Sequence, residues 1–547
     1  MTRPFVRQAA THLAETCDSY LNVWILAWDV HALGTRPGRL FNANIFYPFK
    51  NTLALSEHML GNLPVFAPIA LATGNQVLAF NVVILSSFVL SGCTMAWLVR
   101  YYTGRIGPGL AAGLVFAFVP FRMTQLPHMQ LLSFQWLPVA VYFADRLLRE
   151  GGWRLWLGFT VFTLWQCLVS YYLAYVTVIV LGSYTTVLVW RLRHSLPRRR
   201  LVELASALVV VAAVMVPLTL PYRRLQQSGV IPEFTDETFV REHESLVAMA
   251  DPIRSYLSLP SDAHNIYSGR LATESHLIPW EKHLFPGFLP LITIVAAACM
   301  PRRHGASPVP TGAVLALAAV LVATYVCALG PWLVWNDART SWRMPAYWLG
   351  RFVPGFSGIR GWTRFALGEM LGLGALFGIA LARLTSSMAA GARTLVIGVV
   401  LVGVMVEYNV APLALPEAPE VATPAHRWLA EHGDGGPLLI LPGTGIHGCQ
   451  HAAYMYHTMA HWLPLATGYS GHIPPQVGWI NPISSALPDP VAVAQARRRG
   501  LRWLLLERPA MDPEQLARFD AAVAAGGLIP AVTLGDEMIF DLGRRAP

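Results

Sequence analysis

Apolar positions along this chain gather into long runs separated by short polar turns. The runs cover 77–99, 108–121, 133–148, 155–170, 172–190, 201–220, 285–300, 311–329, 362–384 and 394–412. A helix needs roughly 20 apolar residues to cross the hydrocarbon core of a bilayer. The runs meet or approach that length, and they predict a mostly α, polytopic membrane protein of about ten spans. The stretch 59–73 carries Pro64 and Pro68 and predicts a half-embedded helix instead.

Past residue 412 the pattern changes. PLLILP at 437–442, LRWLLLE at 501–507 and VTLGDEMIFDL at 532–542 read as strands. DPVAVAQARRRG and DPEQLARFDAAVAA carry helical spacing. The chain therefore divides into a membrane domain, 1–412, and a small C-terminal α/β domain, 413–547. Composition points the same way: 54% of residues are hydrophobic and 13% charged, against about 25% charged in a soluble chain.

The net charge of +9 is resolved by where the arginines stand. Arg100 and Arg105, then Arg146, Arg149 and Arg154, then WRLRHSLPRRR at 190–200, then PRRH at 301–304, then Arg383 and Arg393 fall in alternate connections. Short Arg-rich loops face the cytoplasm, which places 1–58, 122–132, 221–284, 330–361 and 413–547 on the outer face of the inner (plasma) membrane. The charged, histidine-bearing stretch 221–284 is expected to be a structured loop over that face. No basic cluster has the aromatic interleaving of a nucleic-acid module. Cys17, Cys93, Cys167, Cys299, Cys327 and Cys449 are scattered, and no disulfide framework or CxxC metal pair is read from them.

An enzyme working at an outer face has no cytosolic nucleotides to use, and neither a P-loop nor a GxGxxG occurs. A lipid-linked donor is the natural alternative. It calls for a carboxylate near the interface to take a proton and for cations to hold a lipid phosphate. The stretch CDSYLNVWILAWDVHAL at 17–33 is expected to lie on the bilayer surface with its tryptophans at headgroup level. Asp18 at its start could cap that helix or act as a base. Asp29 and His31 are expected on its solvated side. Glu57 and His58 precede the half-embedded run. Arg122 with His128, Glu281 with Lys282, and Arg360 with Arg364 stand at outer ends of spans, where an arginine can clamp phosphate or snorkel to headgroups. Glu369 lies inside a span, where an acid is a functional candidate by default; Glu407, near the end of the last span, is the weaker candidate. His447, His451, His457 and His461 with Cys449 read as a packing surface, since no second carboxylate or cysteine pair completes a metal site.

The stretches DSYLNVWILAWDVHAL, RLFNANIFYPFKNTLALSEHMLG and FAFVPFRMTQLPHMQLLSFQWLPVA resemble bacterial multispanning glycosyltransferases of GT-C type, the group described as RgtA/B/C/D-like or YfhO-like. LFPGFLPL, PGFSGIRGWTRFALG and YMYHTMAHWLPLATGYSGHIPP extend the resemblance over almost the whole chain. It implies a cell-envelope transferase that moves a hexosyl or pentosyl group, with inversion, from a polyprenyl-phosphate donor to a glycan, lipid or protein acceptor. Asp18 matches the acid of the group's GDPLLN-like stretch, with Cys17 and Ser19 in place of its glycine and proline, and is implied as general base. Glu57 matches the acid of its SEH and is implied as second acid. Arg122, Arg360 and Arg364 match basic positions of the group.

His58, Arg122, His128, Arg360, Arg364 and Glu369 are the candidate substrate-binding residues, and arginines or a divalent cation would neutralise the leaving phosphate. GT-C proteins carry a span before the first outer loop. Here 17 residues precede Asp18 and none forms a span, so a member lacking that helix, or a start codon placed too late, is expected. A non-catalytic protein on the same scaffold, with the outer domain binding an envelope partner, is the alternative. A secondary transporter would keep its acids at the midplane of broken helices, whereas here they crowd the outer interface.

Overall fold

A computed structural model describes residues 4–231, 255–257, 283–301, 309–335, 338–353, 355–356, 359, 361–443 and 448–543. Most of the outer segment 221–284, together with Glu281, Lys282, Arg360 and His447, lies outside the described residues.

Among the described residues seven helices are long and apolar enough to cross a membrane: Gln76–Thr103, Ile106–Thr124, Tyr171–Leu192, Arg198–Gln227, Thr311–Ala328, Trp362–Leu384 and Ala390–Glu407. The other three expected spans form shorter helices, Leu137–Arg149, Trp153–Val169 and Phe288–Cys299. Their ends have local causes. Ser170 is extended, and its Oγ accepts the Leu173 N–H, so it closes one helix and caps the next. Glu407 accepts the N–H groups of Phe288 and Leu289, which assigns that acid to a helix start. The half-embedded run becomes Leu63–Thr73, with Pro64 in its first turn and Pro68 inside.

The apolar window of Trp362–Leu384 is 89% buried, whereas those of Arg198–Gln227 and Ala390–Glu407 are 11% buried. The first is the centre of the bundle and the other two are its lipid-facing rim. Glycine permits the closest approach: a Cβ on Gly113 would overlap the Gly92 carbonyl where Gln76–Thr103 crosses Ile106–Phe118.

Leu438–Leu441, Trp503–Glu507, Glu537–Asp541 and Pro530–Leu534 form a four-stranded sheet in that spatial order, parallel between the first two and antiparallel thereafter. Helices Cys449–Thr458, Ile480–Ala486 and Pro490–Arg498 connect the parallel pair.

The helix Asp18–Thr35 departs from expectation. It does not lie on a bilayer surface: every residue from Ser19 to Asp29 is buried. A helix with apolar residues on every side is a buried helix, and this one sits in a core built from residues 5–88, 123–132, 225–231 and 410–539 together. Asp29, expected in solvent, is 0% exposed. His31, expected in solvent as well, stacks on Trp462 with ring centroids 4.6 Å apart. The cysteine reading also changes, because Cys17 and Cys449 form a disulfide.

Candidate active site

The N-terminal turn of Asp18–Thr35 is capped by Glu15, not by Asp18. Glu15 Oε2 accepts the Cys17 N–H at 2.7 Å and Oε1 accepts the Ser19 N–H at 2.6 Å. This satisfies the orphan donors of a helix start and leaves the Asp18 carboxylate for other partners. Tyr469 Oη donates to Oδ1 at 2.9 Å, and His128 Nε2 lies 3.1 Å from Oδ2. The Asp18 side chain keeps 29% of its surface accessible, enough to meet a ligand. The turn that carries His128 is tied to the same helix, as Asn22 Nδ2 donates to the Pro127 carbonyl at 2.7 Å.

Glu57 joins this cluster from the segment before the half-embedded helix. Its Oε1 accepts the Tyr172 backbone N–H at 3.0 Å, and the Gln130 side chain hydrogen-bonds to it. The Arg364 guanidinium stands over the Tyr172 ring, 4.8 Å from its centroid, and Tyr172 Oη accepts the Gly361 N–H at 2.8 Å. Those contacts hold the turn Trp362–Phe365 against the start of Tyr171–Leu192.

Arg364 and His128 act on both acids, with opposite outcomes. Burial pushes Asp18 up, but the hydrogen bond and charge of His128, the Tyr469 hydroxyl and the Arg364 charge outweigh it, so Asp18 ionises below its ordinary range. Burial prevails at Glu57 and holds it above its ordinary value, despite the Tyr172 N–H, Arg364, Gln130 and His128. Two carboxyls pushed apart by their surroundings suit different tasks.

Other expected site residues are placed elsewhere. Arg122 is fully buried. Its guanidinium donates to the carbonyls of Ala117 and Leu132 and to Ser87 Oγ, sandwiched between the rings of Phe88 and Phe134 at 4.5 Å each. That is an interior brace. His58 is buried against the Tyr171 ring, and burial lowers it to about 4, which keeps it neutral. Glu369 accepts the hydroxyl of Tyr256 within the bundle. Arg360 lies outside the described residues.

Each Asp18 oxygen faces a polar partner, Oδ1 the Tyr469 hydroxyl and Oδ2 the His128 imidazole. In the C-terminal domain the His426 ring stacks on His461 and lies tilted against His457; His457 Nδ1 meets the Val421 carbonyl and His461 Nδ1 accepts the Leu463 N–H. Among the described residues no group of three metal-ligating side chains is arranged to hold an ion.

Two participants were missed by sequence reasoning. Tyr469 lies in the stretch 454–475 that carried the resemblance but received no role there. Glu15 gave no signal apart from its place three residues before Asp18.

The sequence family described as a domain of unknown function, DUF6311, matches residues 41–405. Glu57, His128 and Arg364 fall inside that match; Asp18 and Tyr469 fall outside it. No curated protein matches the sequence. Among solved structures, the fold is similar to the arabinofuranosyltransferase AftD from Mycobacteria, at TM-score 0.54 and 13% identity over 97% of this chain and 40% of that one. An R1389S mutant of AftD gives TM-score 0.57 and 13% identity over 96% and 41%. The archaeal oligosaccharyltransferase AglB from Archaeoglobus fulgidus, in complex with an inhibitory peptide and a dolichol-phosphate, gives TM-score 0.51 and 12% identity over 94% and 67%. The fold is of GT-C type. This chain spans about two fifths of the length of AftD.

Proposed function

The chain belongs to the DUF6311 family, whose description names no activity, and from its site we propose that it is a membrane glycosyltransferase using a polyprenyl-phosphate-linked sugar donor. The observation that carries this reading is that His128 and Arg364 act on both Asp18 and Glu57, four residues drawn from separate segments, with the Asp18 carboxylate partly accessible. Capping does not account for Asp18, because Glu15 already caps the helix on which it stands.

In the proposed reaction an acceptor hydroxyl donates to Asp18 and attacks the anomeric carbon from the face opposite the phosphate. The new C–O bond forms as the bond to the phosphate oxygen breaks, the configuration inverts, and the proton passes to Asp18. Asp18 is a weak base in the ground state, but the hydroxyl proton becomes acidic once its oxygen bonds to a carbon with oxocarbenium character. Arg364 offers the planar fork suited to the departing phosphate. Glu57 keeps its proton to a higher pH than Asp18 and can donate to a donor oxygen. No step requires a metal.

The arginine-rich loops support a cluster on the outer face of the plasma membrane. The Cys17–Cys449 disulfide supports this side assignment independently, since both cysteines fall in segments assigned outward and disulfides persist in oxidising compartments. The acceptor would then be an envelope glycan, lipid or protein.

The test is sugar transfer by membranes containing wild-type or Asp18→Asn protein, given radiolabelled polyprenyl-phosphate sugars. Transfer should fall at least about a hundredfold with the protein still accumulating. Unchanged transfer removes Asp18 from the mechanism. Absence of transfer with wild-type protein across hexosyl and pentosyl donors rejects the reading as a whole.

A further inference from the structure

Asp18 is held from two directions: His128 reaches Oδ2 from the membrane domain and Tyr469 reaches Oδ1 from the outer domain. The residue before Asp18 is Cys17, bonded to Cys449 with Cα atoms 4.6 Å apart. Cys449 is the first residue of the helix Cys449–Thr458, which packs along Asp18–Thr35 with the rings of Tyr20 and Tyr456 5.1 Å apart. The same outer helix seats Tyr469, whose backbone N–H lies 3.0 Å from Met455 Sδ. The stretch leading to Tyr469 is laid beside the first outer segment, with the Phe46 N–H on the Thr467 carbonyl and the Leu465 N–H on the Asn44 carbonyl.

We propose that the domain beyond residue 413 is a working part of the active site: Tyr469 is a positioning residue for Asp18, and the Cys17–Cys449 disulfide is the clasp that keeps the two in register, so that the site is complete only when this bond is formed. This rests on the reading of Asp18 as the base, while the clasp itself can be tested without it.

The placement argues against a general staple. A cross-link serving only to hold the outer domain could join any of the pairs where 410–539 packs on 5–88. Here it is fastened one residue from the carboxylate and at the start of the helix that seats Tyr469. Reduction by an added dithiol transfers two electrons and two protons, opens the S–S bond to two thiols and leaves the dithiol oxidised. The first turn of Asp18–Thr35 then loses its covalent tie, and Tyr469 Oη and Asp18 Oδ1 are held together by packing alone. Broken registry removes the Tyr469 donor from Asp18, so burial moves its ionisation to higher pH and withdraws the ionised base as pH falls.

The experiment uses full-length protein in lipid nanodiscs, with the disulfide verified by differential alkylation and peptide mass. Three samples are compared: oxidised, reduced with dithiothreitol, and reduced then reoxidised. Amide hydrogen exchange should rise at least tenfold in peptides over 15–22 and 464–472 on reduction, stay unchanged over 362–384, and return on reoxidation. In the transfer assay reduction should lower kcat at least tenfold with the donor KM within twofold. Tyr469→Phe, disulfide intact, should move the acidic limb of kcat/KM to higher pH while leaving the limiting rate at high pH within threefold. Exchange over 15–22 that ignores reduction overturns the clasp, and a pH profile unmoved by Tyr469→Phe overturns the positioning role. Should oxidised wild-type protein transfer no sugar at all, the glycosyltransferase reading fails while the exchange arm still decides the clasp.

Discussion

His128 Nε2 lies 3.1 Å from Oδ2 of Asp18, a nearly buried imidazole set against a carboxylate that still meets solvent. Of the groups that oppose burial at Asp18, His128 is the largest, through both its hydrogen bond and its charge. Its removal therefore has a predictable sign. His128→Ala should raise the pH at which Asp18 ionises, so the acidic limb of kcat/KM moves to higher pH. His128→Gln, which keeps a neutral donor, should fall between the two. A pH–rate profile unchanged in His128→Ala would separate the imidazole from the carboxylate's function.

Asp29 makes a stability prediction on the same helix. It is fully buried, its Oδ2 meets the Met59 N–H at 3.4 Å, and burial pushes it up to about 8. In the unfolded chain an aspartate ionises near 3.9. The folded carboxyl is raised, so the stability it contributes is full below about pH 4 and is lost as pH rises through about 8, at a slope on the order of 1 kcal/mol per pH unit. Asp29→Asn should remove this slope and be at least as stable as wild type at pH 8. Thermal unfolding of detergent-solubilised protein between pH 5 and 8.5 measures it; parallel curves for the two proteins would contradict a protonated Asp29.

The histidine cluster predicts the opposite dependence in the C-terminal domain. Burial lowers His461 to about 4 and holds His426 and His457 below their ordinary value. Histidine in an unfolded chain titrates near 6.5. Above that pH all three are neutral in both states and the domain has its full stability. As pH falls from about 6.5 towards 4 the unfolded chain takes up protons that the folded stack refuses, and stability declines by up to about 1 kcal/mol per pH unit for each histidine. Glu537, close to His457, moderates the effect without reversing it. Hydrogen exchange over 424–432 and 449–462 should accelerate between pH 7 and pH 5, and His426→Asn with His461→Asn should flatten that response. Equal protection at both pH values in wild type would show that the stack is not held neutral.

The sequence revealed the cluster better than it revealed its supports. Asp18, Glu57, His128 and Arg364 were readable because each sits in a short stretch beside an apolar run, where a charged residue is conspicuous. The helix Asp18–Thr35 was misplaced because tryptophans at helical spacing suit a headgroup belt and a buried core equally, and only the outer domain's position decides between them. The Cys17–Cys449 bond closes a loop of 432 residues, a separation over which spacing has no predictive force. Glu15 and Asp18 compete for one capping task, and the choice depends on a turn geometry that local sequence leaves open. The strands of the outer domain were legible at 437–442, 501–507 and 532–542 because their apolar runs are short and end in turn residues. Phe288–Cys299 is shorter than the apolar run 285–300 that predicted it because an apolar run does not disclose that Glu407 will cap a helix start.

Arg122 and Arg364 shared one expectation, yet the structure gives them different environments and hence separable consequences. Arg122 is sealed between Phe88 and Phe134 with its donors on two carbonyls and a hydroxyl. Arg122→Ala leaves those acceptors without a donor and opens a cavity beside two rings, which should cost about 3 kcal/mol of stability. Arg122→Lys should recover little, because a single ammonium lacks the fork that spans both carbonyls. Folded Arg122→Ala protein should still bind donor with an unchanged KM. Arg364 stands over Tyr172 beside both acids. Arg364→Ala should raise the donor KM by about ten- to a hundredfold, as loss of charge-assisted hydrogen bonds to phosphate predicts, with a smaller drop in Tm than Arg122→Ala. The two effects are measured together by Tm and by donor KM in the same membranes. If Arg122→Ala raised the donor KM and Arg364→Ala affected Tm alone, the phosphate role would belong to the buried residue and the site would have to be redrawn around it.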